Sequence, residues 1–253
     1  MIPSLRDLRL VDLDCLILHE AHDEDRLARL RKRMEVEGEQ RNPVMVSPHE
    51  DRYLVLDGAH RVRALGELGS PLALVQTVEP PEKAEGWGHL IGGIETTDLG
   101  NLQGIEASQK PGHNPLAEIE TSGLGTLLLS ATEEGLQGRV SALWNLQSLY
   151  PKGVVVRRVE SDGAVHFSEM ELLIRYRGFT PGELAAIVDC GTVLPAGITR
   201  FRVRERVLGV GYPLENMTGG DIGAQNDKLE EYVRKRWEEG RVRLYGEPVV
   251  LFE

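Results

Sequence analysis

Apolar residues first gather in the run Leu8 to Leu18, which ends at the charged stretch His19-Glu20-Ala21-His22-Asp23, as a buried strand does on reaching the surface. From Asp25 to Glu37 the pattern changes: Leu27, Leu30 and Met34 recur at intervals of three and four, Asp23 is placed to cap, and Gly38 follows. This predicts a helix. Two short runs, Pro43 to Ser47 and Arg52 to Leu56, flank the turn-forming Pro48-His49-Glu50-Asp51 and predict a hairpin. Beyond Asp57-Gly58, the residues Val62, Leu65 and Leu68 mark one face of a helix that stops at Gly69, and Pro71 to Val78 returns as a strand. Residues 8–78 therefore read as an α/β unit.

Pro80 and Pro81 interrupt the pattern, and Gly86 to Gly125, rich in Gly, Asn, Ser and Pro, predicts a long irregular connector. Order resumes with a strand over Leu124 to Ser130, a helix over Leu136 to Leu149 and a strand over Gly153 to Val159. Helical spacing recurs at Ser168 to Tyr176 and at Thr180 to Val188. Thr180-Pro181-Gly182-Glu183 opens the second of these as a capping box with Pro at the first helical position, and Gly191 closes it. Val193 to Val210 alternates as two strands, and Asp227 to Glu238 is amphipathic, with Leu229, Tyr232, Val233 and Trp237 on one face. The expected fold class is α/β (α+β), divided into a first domain over residues 1–82 and a second α/β domain over 83–253.

Composition narrows the class. At 253 residues and 41% hydrophobic content the chain can bury one large core or two modest ones. A formal net charge of -11 argues against a surface-wide nucleic-acid interface, since phosphate binding rests on Lys and Arg. Cys15 and Cys190 lie far apart without CxxC spacing, and no charged-then-apolar leader opens the chain, which predicts reduced thiols and a cytoplasmic location. The longest apolar runs, Leu124 to Ala131 and Val249 to Phe252, fall far short of the ~20 residues that cross a bilayer, so no membrane partner is expected.

The segment with the clearest chemistry is Tyr53-Leu54-Val55-Leu56-Asp57-Gly58-Ala59-His60-Arg61, a strand entering a tight turn that opens a helix. Free N–H groups and the positive end of the helix dipole face such a turn, Gly58 admits a close approach, and His60 and Arg61 add donors, so an anion such as phosphate fits it. On the residues alone, Asp57 serves equally well as a helix cap with His60 and Arg61 solvated. His19 and His22 have HxxH spacing without a third ligand in register. Arg200, Arg202, Arg204 and Arg206 alternate, which on a strand turns all four to one face.

The turn, its preceding hairpin and its following helix resemble the ParB/sulfiredoxin-like superfamily, which implies a ParB/sulfiredoxin-like first domain. Within it the chain is most similar to the free L-serine kinases, on four motifs in order: Leu18-His19-Glu20, Asp57 to Arg61, Trp87-Gly88-His89, and Leu194-Pro195-Ala196-Gly197-Ile198-Thr199-Arg200-Phe201. The resemblance implies phosphoryl transfer from ATP or ADP to the L-serine hydroxyl. Glu20 would be the general base, with Asp57 and His60 also catalytic, and Asp57 near Mg²⁺. Gly58, Ala59, His60 and Arg61 would hold nucleotide phosphate, and Trp87, His89, Thr199 and Arg200 would line the serine pocket. The competing readings are a ParB-like nucleotide-binding DNA regulator, against which the net charge and the lack of a helix-turn-helix count, and sulfiredoxin-type cysteine rescue, for which Ala59 stands where a Cys is needed.

Overall fold

The structure, a computed structural model, describes residues 5–79, 82–94, 102–121, 125–166 and 168–246. The chain first builds a five-stranded mixed sheet. Strand β1 (Leu8–Asp12) runs into a single 3-10 turn at Leu13–Cys15, then β2 (Leu16–Leu18), helix α1 (Glu24–Glu37), the short β3 (Glu39–Gln40), the hairpin β4 (Val44–His49) and β5 (Arg52–Asp57), helix α2 (Ala59–Glu67) and β6 (Leu72–Thr77). The strand order is β1-β6-β4-β5-β2. The expected strand over Leu8 to Leu18 is thus two strands at opposite edges, because the 3-10 turn carries the chain from β1, antiparallel to β6, across to β2, parallel to β5. Buried Leu72, Ala73, Leu74 and Val75 show why β6 reads as a continuous apolar run. Asp23 caps α1 by accepting from Arg26 N–H at 2.7 Å, and Gly38, at φ 66°, ends it.

A second sheet follows: β7 (Glu85–Gly92), β8 (Ile105–Ser108), β9 (Pro115–Thr121), β10 (Gly125–Ala131), β11 (Arg157–Glu160) and β12 (Glu171–Tyr176), in the order β11-β7-β12-β9-β10-β8, with the two-residue β13 (Thr199–Arg200) on one end of β7. Helices α3 (Gly135–Gln147) and α4 (Pro181–Asp189) close its core, α3 lying on β9 and β10. The capping box at Thr180 forms as expected, Thr180 and Glu183 exchanging side-chain to backbone bonds.

Several expectations need correction here. Gly86 to Gly125 is no irregular connector, since it holds β7, β8 and β9. Its glycines misled because β7 needs them: a Cβ on Gly86 would lie 1.7 Å from the Tyr176 carbonyl oxygen on β12. Ser168 to Tyr176 contains a strand and no helix; Leu172, Leu173 and Ile174 are all buried, so the run has no alternation to reveal it. The strand expected from Gly153 begins only at Arg157. Between Val193 and Val210 only Thr199–Arg200 forms a ladder, so Arg200, Arg202, Arg204 and Arg206 share no strand face. Pro80, Pro81, Leu124 and the run Val249 to Phe252 lie outside the described residues.

The two cores do not divide the chain at residue 82. The first is completed by the returning C-terminal segment: Val210, Tyr212, Met217, Leu229 and Val233 are buried among β1, β4, β6 and α2 residues. β14 (Tyr212–Pro213) pairs with β3, and helix α5 (Ile222–Glu238), five residues longer at its start than expected, packs on β1. There the Asn226 amide bonds both the N–H (2.8 Å) and the carbonyl (3.0 Å) of Leu10. The halves are joined where Leu194 exchanges backbone bonds with His19 and Ala21, and where His49 meets Asp189 at 3.2 Å. Among the described residues no helix is long and apolar enough to cross a membrane.

Candidate functional site

A cleft of about 1350 Å³ opens where the two halves meet, and it is lined by the end of β2, α1, the β5–α2 turn, Trp87, Arg158 and the segment from Gly197 to Arg206. One wall is the turn. Gly58, at φ 115°, is the N-cap of α2, so Asp57 is not the helix cap. The first N–H groups of a helix have no intrahelical acceptor, and in α2 they belong to Ala59, His60 and Arg61. Asp57 instead pairs through Oδ2 with Arg61 (2.9 Å) and Arg206 (3.2 Å). Burial works to raise its pKa, but the arginines outweigh that and hold the carboxyl below its ordinary range. Arg61 folds back over the turn, its guanidinium 2.8 Å from where a Cβ on Gly58 would be.

His60 is fixed in one tautomer. Its Nε2 accepts from the Asp23 N–H at 3.0 Å, so in the neutral ring the proton sits on Nδ1, free to donate. Burial, joined by the positive charges of Arg26 and Arg158, lowers its pKa to about 4, so it is neutral at physiological pH.

The opposite wall is built around Glu20. Its backbone bridges to Leu194, and its carboxylate is held by the 194–201 segment: Oε2 accepts from Gly197 N–H at 2.9 Å, and Oε1 from Thr199 N–H at 2.6 Å and Thr199 Oγ1 at 2.5 Å. The position calls for glycine, since φ is 74° and the Arg158 guanidinium lies 1.9 Å from where a Cβ would stand. His19, 4% exposed, holds Val55 O through Nδ1 (2.7 Å) and Thr199 Oγ1 through Nε2 (2.7 Å), linking the strand before the turn to Thr199. Burial dominates the lowering of its pKa.

The other expected residues divide. Trp87 lines the cleft with its ring beneath Arg200, 4.8 Å from guanidinium carbon to ring centroid. Arg200 is tied by Nη2 to Glu160 at 2.6 Å, while its buried Nη1 has no partner. Thr199 lines the cleft, but its hydroxyl is engaged by Glu20 and His19. His89 is not brought to the cleft: 2% exposed, it donates through Nε2 to Gly197 O at 2.7 Å and meets Tyr150 at 2.9 Å, so it supports the Gly197 loop from behind. Burial lowers its pKa to about 4. The sequence marked Arg206 only as one of four alternating arginines and Gly197 only within the fourth motif, and for Arg158 its one signal was the basic pair Arg157-Arg158. Among the described residues no group of three or more His, Cys, Asp or Glu is arranged to hold a metal, and His19 and His22 do not form such a site.

No protein-family model matches the chain. A curated relative, the ATP-dependent L-serine kinase SbnI of Staphylococcus aureus, is 24% identical over 249 residues, 97% of each chain. Among solved structures, C-terminally truncated SbnI from Staphylococcus aureus superposes with a TM-score of 0.79 at 22% identity, covering 94% of this chain and 100% of that one. A free serine kinase in complex with AMP superposes with a TM-score of 0.63 at 19% identity, covering 83% of this chain and 93% of the other. Along nearly its whole length this chain is similar in sequence to an L-serine kinase, and it shares the fold of solved free serine kinase structures.

Proposed function

We propose that the chain is a nucleotide-dependent kinase that phosphorylates the hydroxyl of free L-serine to give O-phospho-L-serine. The observation that carries this reading is one cleft with a helix-opening turn, its first N–H groups free of intrahelical acceptors, on one wall and a pinned carboxylate, Glu20, on the other. Its relatives point the same way, one being an ATP-dependent L-serine kinase and another a free serine kinase bound to AMP. Arg29, Arg33 and Arg41 also line the cleft with side chains that have no ion-pair partner among the described residues, which suits an anionic ligand in a chain of net charge -11.

In this reading the N–H groups of Ala59, His60 and Arg61 and the His60 Nδ1–H bind the phosphates, and Arg61 moves off Gly58 as they enter. The terminal P–O bond of the nucleotide breaks as the serine oxygen bonds to phosphorus, and the hydroxyl proton passes to Glu20 Oε2, which has one lone pair uncommitted. Arg200 Nη1 is a buried donor for the serine carboxylate. Asp57, whose carboxylate offers hard oxygen atoms, would be the residue to hold Mg²⁺, and the ion would supply charge neutralisation for the transferring phosphoryl group.

The test is phosphorus NMR of the protein with Mg²⁺, L-serine and either ATP or ADP, beside a Glu20→Ala chain. Phosphoserine is expected from the parent, and a rate at least ~100-fold lower from the variant, the usual size of a general-base contribution. A folded parent that makes no phosphoserine with either nucleotide overturns the reading.

A further inference from the structure

The hydrogen bonds around Thr199 demand more protons than the groups carry. Val55 O can only accept, so the His19 Nδ1 bonded to it bears the ring proton, and Nε2 of the neutral ring offers a lone pair. That lone pair lies 2.7 Å from Thr199 Oγ1, and Glu20 Oε1 lies 2.5 Å from the same oxygen. Thr199 has one hydroxyl proton for two acceptors. While Glu20 is ionised, the carboxylate is the stronger acceptor and takes it, leaving Nε2 and Oγ1 facing each other lone pair to lone pair. Once Glu20 is protonated, Oε1 accepts weakly and still has the Thr199 N–H at 2.6 Å. The hydroxyl can then turn to Nε2.

We propose that Thr199 is a hydroxyl switch and His19 its second acceptor, together raising the proton affinity of Glu20 as it takes the proton from the acceptor hydroxyl. The step balances: the substrate proton goes to Glu20 Oε2, the Thr199 proton rotates from Oε1 to His19 Nε2, and no covalent bond of Thr199 or His19 changes. Both are positioning residues that act through Glu20. The arrangement answers a need, because three donors already occupy the carboxylate that must take the substrate proton, and the switch frees one of them. The burial of His19 keeps it neutral and so keeps the lone pair available. Charged or titratable groups lining the same cleft include Asp57 and His60 on the turn, Arg26 on α1, Arg158 on β11 and Arg200 on β13.

The inference rests on the kinase reading for its purpose, but its test needs no turnover. The titration of Glu20 is followed by carbon NMR in four chains: parent, His19→Phe, Thr199→Val and the double variant. Removing the second acceptor leaves the hydroxyl on the carboxylate, so His19→Phe is expected to lower the Glu20 midpoint by about one pH unit, the worth of one hydrogen bond. In the Thr199→Val background the same change should move it by less than about a third of that, since the hydroxyl route is gone and only the direct 4.0 Å approach of His19 Nε2 to Glu20 Oε1 remains. Thr199→Ser, which keeps the hydroxyl, should restore the coupling. Equal shifts in both backgrounds overturn the proposal. His19→Phe also orphans Val55 O and costs stability, so nitrogen NMR of His19 in the parent gives an independent answer. An Nδ1–H ring whose Nε2 resonance moves as Glu20 titrates is expected, and an Nε2–H ring at neutral pH, or an Nε2 resonance indifferent to Glu20, overturns it. Failure here with phosphoserine still formed rejects the switch and keeps the kinase.

Discussion

At the scale of single residues, the site depends on two glycines that hold positions closed to other side chains. Gly58 has φ 115°, and a Cβ there would come within 2.8 Å of the Arg61 guanidinium. Gly58→Ala therefore carries both backbone strain of about 1–2 kcal/mol and a displaced Arg61. ADP affinity by titration calorimetry is expected to fall at least ~10-fold, since the turn's N–H groups no longer converge; unchanged affinity would remove the turn from the phosphate site. Gly197 meets the same limits on the other wall, under Arg158. Sequence patterning exposed Gly58 because a strand, a turn and a helix bracket it. Arg158 was hidden, because nothing local says that a strand at one edge of the second sheet will face a turn about a hundred residues earlier.

At the scale of elements, β7 is a strand that glycines permit. Gly86 lies under the Tyr176 carbonyl, so Gly86→Ala should break the β7–β12 pairing, which includes His89, and lower stability by several kcal/mol, in the range of severe core overpacking. Gly182, in the first turn of α4, has nothing within 4 Å of its would-be Cβ and no positive φ. Gly182→Ala is expected to stabilise by about 0.4–1 kcal/mol through the unfolded state. Urea midpoints that move in opposite directions would support the assignment of β7, and a harmless Gly86→Ala would contradict it. Compositional reasoning takes glycine as a sign of loop, and here it erred for a physical reason: close packing against a neighbouring backbone also selects glycine. The caps, being local chemistry, were read correctly at Asp23 and Thr180.

At the scale of the whole molecule, the site exists because two cores meet, and its half-buried His60 and buried His89 tie stability to pH. His60 and His89 have folded pKa values lowered to about 4 from 6.5, with burial as the main cause. A neutral buried histidine binds its proton more readily when unfolded, so stability is full above pH 6.5 and is lost as pH falls from there towards 4. For His89 alone the loss at pH 5 is on the order of 2 kcal/mol, from 1.5 pH units below the unfolded value. The urea midpoint should drop between pH 7.5 and 5, and drop less in a His89→Gln chain; a pH-independent midpoint would mean that His89 is not buried neutral.

Sequence alone determined what depends on neighbours within a few residues. The helix of Leu27, Leu30 and Met34, the hairpin before Asp57, the anion-ready turn and the capping box all follow from local periodicity and turn chemistry. Its ordered motifs also carried the family resemblance, because Glu20, the turn and the Thr199 segment kept their order along the chain. Tertiary structure decided what depends on distant partners: the return of α5 to the first core, the strand nature of Glu85–Gly92, and the contacts of Glu20 with Gly197 and Thr199 across almost 180 residues. Hydrophobic pattern records which face of an element is buried but not against what, and the chemistry of this cleft lies in the pairings that burial brings together.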